Sequence, residues 1–188
     1  MKYLKSLLLI TTIVLLSGCA LPFQSEKYPA WSTNGLIDGK TLDDGRIVEA
    51  YQGLGINETA HTRWFDFIIQ DVTVCDTFET YKAPNGKKLV VASIEVTNTS
   101  DSKQKLSLED FPLMWNLEKE EASYTYSFIP DIPNVNFLKD NLTIGVKETV
   151  NFKTIYEVDD TLTRPFAIYY GELYSDDLEG NSYYIYVR

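Results

Sequence analysis

From Trp64 onward the chain passes from irregular to alternating. Trp64–Val74 reads as a strand of about ten residues, and Phe65, Phe67, Ile68, Ile69, Val72 and Val74 leave open which of its faces is buried. Leu89–Val96 sets Val90, Ala92, Ile94 and Val96 against Val91, Ser93 and Glu95, the period of two expected of a half-buried strand. Thr149–Val158 repeats the pattern, with Val150, Phe152, Thr154, Tyr156 and Val158 on one side and Lys153, Ile155 and Glu157 on the other. Shorter runs occupy 111–117, 123–128, 166–174 and 183–187. Between the runs lie turn formers: Pro84-Asn85-Gly86, Asn98-Thr99-Ser100-Asp101, the charged stretch 118–121 and the acidic stretch 176–181. Gly, Asn and Pro supply the dihedrals that reverse the chain. About seven strands, and no amphipathic helix longer than one turn, predict an all-β antiparallel sandwich or barrel over residues 63–188. A unit of about 125 residues buries well over half its unfolded surface, enough for one core without disulfides.

Residues 19–62 show no steady periodicity. Pro22, Pro29, Gly35, Gly39, Gly45, Gly53 and Gly55 punctuate them, with Asp38, Asp43 and Asp44 between, so they read as a tether or loosely packed lead-in. Arg46–Tyr51 fits one helical turn or a short edge strand.

The N-terminus is different again. Lys2 and Lys5 precede an apolar core from Leu7 to Leu16, and Ser17-Gly18-Cys19 follows. A basic start, about ten apolar residues and small residues before a cut site describe a secretory signal peptide over 1–18. The core is shorter than the roughly 20 residues a spanning helix needs. Leu16-Ser17-Gly18-Cys19 resembles the bacterial lipobox, and that resemblance implies cleavage before Cys19 and acylation of its thiol. Two or more acyl chains hold a protein stably to a membrane, which would place the domain on the extracytoplasmic face of the cell membrane. Cys75 would then be the one remaining thiol. It lies in the run Val72-Thr73-Val74-Cys75 and reads as a small hydrophobe in a strand.

Charge narrows the partners. The chain carries a formal −10, and loss of Lys2 and Lys5 leaves 15 basic against 27 acidic side chains, about −12. Such a surface excludes a nucleic-acid partner, which demands a basic patch, and it repels anionic lipids and polymers. His61 stands alone, without the second His or Cys that a zinc site requires. Asp159-Asp160 and the stretch 176–181 gather hard oxygens, but neither has the spacing of a calcium loop. A Ser or Cys nucleophile needs a nearby base, and His61 sits in the lead-in. No catalytic residue, metal ligand or cofactor site is therefore assigned. The aromatics remain: Tyr124, Tyr126 and Phe128 share one face of a strand, and Tyr184 and Tyr186 lie in a second aromatic run. Rigid rings offer contact area at small entropy cost. These five form the candidate binding surface, although a sandwich core uses the same residue types.

Three blocks carry a family resemblance. Gly86–Asp101 joins a glycine turn to an apolar strand that ends in Asn. Leu108-Glu109-Asp110-Phe111-Pro112-Leu113 is an acidic-Phe-x-Leu stretch. Leu142–Val150 followed by Ile155-Tyr156-Glu157-Val158 supplies a Gly–Glu turn and a strand ending in aromatic, acid and Val. Together they resemble the uncharacterised Ig-like domain of bacterial surface lipoproteins, related to the mycobacterial immunoprotective secreted antigen. Lys147 lengthens the usual Gly–Glu spacing. The resemblance implies an immunoglobulin-like β-sandwich displayed outside the cell, and it brings no catalytic residues with it. The expected function is a membrane-anchored, non-enzymatic binding module for a protein or envelope component. The alternative is a structural or stress-related envelope assembly factor without a discrete ligand, and a carboxylate-based hydrolase ranks behind both.

Overall fold

A computed structural model describes residues 38–117, 122–162, 165–175 and 177–187. The signal peptide, Cys19 and the lead-in up to residue 37 lie outside the described residues, as does the charged stretch 118–121. In chain order the strands are β1 (Lys40–Thr41), β2 (Ile47–Val48), β3 (Tyr51–Leu54), β4 (Thr59–His61) and β5 (Phe65–Cys75). There follow β6 (Thr77–Phe78), β7 (Tyr81–Lys82), β8 (Lys87–Asn98), β9 (Gln104–Leu106) and β10 (Leu113–Trp115). The last are β11 (Ser123–Thr125), β12 (Leu142–Ile144), β13 (Thr149–Asp159), β14 (Phe166–Leu173) and β15 (Glu179–Val187). No helix occurs among the described residues.

Two sheets make the body. One has the order β11-β10-β14-β15-β3 and the other β13-β8-β5-β4. The chain runs from β5 and β8 in the second sheet to β10 and β11 in the first, returns for β13, and crosses again to β14 and β15. These crossings make it an all-β, immunoglobulin-like sandwich. Seven strands of the two sheets arise after residue 63, and β3 and β4 come from the segment read as lead-in. From Tyr51 on, that segment is integrated into the sheets. β4 pairs antiparallel with β5. β3 runs parallel to β15, with Tyr51 opposite Ser182 and Leu54 opposite Ile185, while the other pairings between these strands are antiparallel among the described residues. Within Arg46–Tyr51 the choice falls on strand, β2.

The core lies between the sheets. Val90, Ala92, Ile94 and Val96 of β8 and Phe152, Tyr156 and Val158 of β13 point inward, as their alternation predicts. They meet Leu113, Ile168, Tyr170, Tyr183 and Ile185 from the facing sheet. Phe67, 1 % exposed, is the hub: its ring lies 5.3 Å from Phe111, 5.7 Å from Tyr170 and 6.2 Å from Tyr183. Edge-on ring pairs at such distances add about 0.5–1.5 kcal/mol each beyond the area they bury. The open question of which face of β5 is buried is answered by a register shift between Ile69 and Asp71. Phe65, Phe67 and Ile69 point inward before that bulge, and Val72 and Val74 pack on the same core after it. One extra residue, Gln70, exchanges the two faces.

A second, smaller cluster covers part of the outer face of the β13-β8-β5-β4 sheet. Leu89, Val91 and Ile155 of that face pack with Ala83, Ile132 and Phe137, joined by Phe78, Tyr81 and Phe128. The segment 126–138 also caps the outer edge of β13. Phe128 N–H donates to the Ile155 carbonyl at 3.1 Å, Leu138 N–H to that of Lys153 at 2.9 Å, and Lys153 N–H to that of Asn136 at 2.8 Å. An otherwise bare strand edge, prone to pairing with other chains, is thereby occupied.

Candidate functional site

Leu113, Ile168 and Ile185 stand opposite one another and face the core. Residues alternating with them on β10, β14 and β15 therefore point away from it. The outward rows of this sheet run Tyr124–Met114–Ala167–Tyr186, then Tyr169–Tyr184–Gly53, then Gly171–Ser182–Tyr51. Five tyrosines thus belong to one sheet face. Tyr124 and Tyr126 are the exposed part, 56 % and 44 % accessible, with ring centroids 5.4 Å apart. Tyr169 and Tyr184 pack at 5.1 Å, and the hydroxyls of Tyr169 and Ser182 are 3.0 Å apart. Burial pushes the Tyr184 phenol up to about 12. At the far edge the Tyr51 hydroxyl donates to Asp38 Oδ2 at 3.2 Å.

Of the five residues proposed from sequence, Tyr124, Tyr184 and Tyr186 fall on this face and Tyr126 packs edge-on against Tyr124. Tyr186 is only 7 % exposed. Phe128 departs from the group. The strand expected over 123–128 ends at Thr125, and beyond it Phe128 turns into the smaller cluster, its ring 5.5 Å from Tyr81. Tyr169 and Tyr51 were missed. The pair Tyr169-Tyr170 held the signal, because neighbours in a strand point to opposite faces and only one of them can be core.

Beside Tyr169 the face ends in a concavity of about 210 Å³ lined by Glu109, Asp110, Glu172 and Glu179 together with Pro112 and Leu173. Glu172 is 3 % exposed, and its oxygens accept from the backbone N–H of Arg63 at 2.8 Å and of Asn181 at 3.1 Å. The Tyr183 hydroxyl approaches the same carboxylate at 3.3 Å. Gly180 is required here, since an added Cβ would fall 2.6 Å from Cβ of Glu172. Burial raises the Asp110 carboxyl above its ordinary value, against a 2.5 Å hydrogen bond from the Ser107 N–H that lowers it. Glu172 acts as a structural acceptor joining β14, β15 and the Arg63 segment. The guanidinium groups of Arg46 and Arg63 lie over the Tyr174 ring at 4.9 and 5.3 Å and fasten the lead-in to the same corner.

His61 lies in β4 with Nδ1 2.9 Å from Asp66 Oδ1. Cys75 is half-buried at the end of β5 against the smaller cluster, and burial pushes its thiol up. Asp159 pairs with Lys87 at 2.5 Å. Among the described residues no three His, Cys, Asp or Glu side chains are grouped to hold a metal ion.

Comparison with known proteins supports the architecture. A candidate lipoprotein of Bacillus subtilis, ycdA, superposes with a TM-score of 0.53 at 14 % identity over 69 % of this chain. The match spans 38 % of that protein's length. An uncharacterised β-sandwich protein from Clostridium difficile gives 0.50 at 18 % identity, covering 74 % of this chain and 97 % of its own. The yjhA protein of Bacillus subtilis gives 0.52 at 12 %, covering 70 % and 99 %. The likeness is one of fold. No family model matches the chain, and no curated protein matches it.

Proposed function

We propose that the protein is an extracytoplasmic lipoprotein, held to the cell membrane through acylated Cys19, whose sandwich is a non-enzymatic binding module of the Ig-like lipoprotein family. Its partner, a protein or envelope component, docks on the outer face of the β11-β10-β14-β15-β3 sheet. The observation that carries this reading is the exposed Tyr124–Tyr126 pair at the margin of a sheet face that also holds Tyr169, Tyr184 and Tyr51. Aromatic side chains bring large contact area with few rotamers to freeze. The lipobox at 16–19 and the fold shared with a candidate lipoprotein support the anchor. Engagement of Glu172 by two backbone N–H groups supports a structural rather than a proton-transferring carboxylate.

Two experiments test it. Cys19→Ala is expected to move the protein from the membrane to the soluble fraction and to abolish partition into detergent. A variant that still sediments with membranes would refute the anchor. For the partner, cross-linking on intact cells followed by mass spectrometry should yield a specific adduct. In Tyr124→Ala/Tyr126→Ala that adduct should fall at least about tenfold, since aromatic anchors at interfaces contribute 2 kcal/mol or more. Unchanged cross-linking of a folded double variant would remove the tyrosine face from the account.

A further inference from the structure

The opposite sheet carries a second feature, unrelated to the tyrosine face. Its outer surface is apolar where the smaller cluster covers it and polar where the cover stops. Across the strands, Lys153 stands opposite Ser93 and Ser93 opposite Asp71, while Asn151 stands opposite Glu95 and Glu95 opposite Ile68. At that boundary the backbone of 134–136 overhangs the sheet and leaves a groove of about 440 Å³, within the range of ligand sites. Gln70, Ser93, Asn134, Asn136, Asn151 and Lys153 line it, with half-buried Val135 as an apolar element.

The lining differs from the rest of the molecule. In a chain of net −10 its lining holds one cation, Lys153, and one anion, Glu79, with Glu95 at the rim accepting from Gln70 Nε2 at 3.2 Å. Four of its side chains are primary amides, a group with two donors and an acceptor, of which Gln70 spends one donor on Glu95 and Asn136 one on the Asn151 carbonyl. The Lys153 ammonium is held in place rather than free to sweep solvent: it donates to Ser93 Oγ at 2.6 Å and lies 5.9 Å from the Phe78 ring centroid. Asn136 is held likewise, its amide donating to the Asn151 carbonyl at 2.5 Å.

We infer that this groove binds an uncharged saccharide chain. Sugar hydroxyls donate and accept at once, which primary amides match on both counts, and the C–H face of a sugar ring can rest on Val135. With Glu79 and Glu95 beside a single Lys153, the groove offers no attraction to a polyanion. A peptide adding as a strand is disfavoured because the β13 edge is already taken by 136–138.

Titration of the full chain in detergent with chitohexaose, followed by NMR, tests the assignment. Saturable shifts are expected in the side-chain amides of Asn134, Asn136 and Asn151. Gln70→Ala/Asn151→Ala, both exposed positions, should weaken binding at least about tenfold, corresponding to loss of one or two hydrogen bonds. Tyr124→Ala/Tyr126→Ala should bind the sugar as the parent does, which separates this groove from the tyrosine face. Absence of saturable shifts overturns the inference. So does full affinity in the folded Gln70/Asn151 variant, or a neutral Gly-Ser peptide moving the same resonances when the sugar does not.

Discussion

Asn98→Asp is expected to destabilise the protein by about 3–5 kcal/mol, the cost of breaking a buried polar network and setting a charge among acceptors. Asn98 is fully buried at the end of β8. Its amide nitrogen donates toward the carbonyls of Ser102 at 2.8 Å, Gly145 at 3.0 Å and Ile144 at 3.2 Å. Its amide oxygen accepts from Ser100 N–H at 3.0 Å and Ser100 Oγ at 2.8 Å. Two sequence-distant turns thus share one side chain. The second of them, at Gly145–Glu148, is closed by the Glu148 carboxylate on the Gly145 N–H at 2.5 Å, with Lys147 accepting a φ of 61°. Aspartate would direct an anion at three carbonyl oxygens; alanine would remove their shared donor, leaving the Gly145 carbonyl to the Glu148 N–H and that of Ser102 to Ser100 Oγ, and should cost about 1–3 kcal/mol. The aspartate variant should also recover stability as the pH falls. Its folded-state carboxyl titrates above the unfolded one, so the native state takes up more protons in that window. Denaturant midpoints of both variants measure the effect. A loss below about 1 kcal/mol in each would show the network to be incidental.

Alkaline conditions should unfold the domain cooperatively. Burial raises the phenols of Tyr156, Tyr170 and Tyr183 well above the ordinary tyrosine value, and all three are 5 % exposed or less. Above about pH 10 the unfolded chain ionises these groups while the native state keeps them protonated. The native state then holds more protons than the unfolded one, so stability falls as the pH rises. Each tyrosine contributes about 1.4 kcal/mol per pH unit, giving a slope of up to about 4 kcal/mol per unit for the three. Two units of that slope remove about 8 kcal/mol, comparable to the roughly 5–15 kcal/mol by which a typical domain is stable. Tyrosinate absorbance and far-ultraviolet circular dichroism followed together should show early ionisation of exposed rings and then a joint transition between pH 10 and 12. If all thirteen tyrosines ionised near pH 10 with the strand signal intact, the buried-ring core would be wrong. Tyr156 has a second role, since its hydroxyl donates to the buried Phe111 carbonyl at 2.6 Å. Ionisation would remove that donor as well.

The candidate site was only partly readable before the structure. Tyr124 and Tyr126 could be selected because alternate rings in a short run share one face of a strand. Phe128 could not be separated from them, since the end of β11 depends on pairing with β10 and not on local pattern. Tyr169 and Tyr51 join the face through strands more than one hundred residues apart in the chain. The amide groove was invisible in the sequence, because its residues come from β5, β8, β13 and an irregular segment, and none of them forms a motif.

Alternation alone decided that the chain is all-β, where β8 and β13 run and which of their residues form the core. A pleated strand has a period of two, and burial of one face leaves that period in the residue types. The turn at Pro84–Gly86 was equally local, with Gly86 at a φ of 76°. Three-dimensional packing decided the rest. Only pairing with β15 and β5 makes strands of Tyr51–Leu54 and Thr59–His61, which are too short to show a period. Only the bulge at Gln70 tells the inner from the outer side of β5. Hydrogen bonds and ring contacts between residues far apart in the chain leave no local trace, and these are what place Asn98 between two turns and five tyrosines on one face.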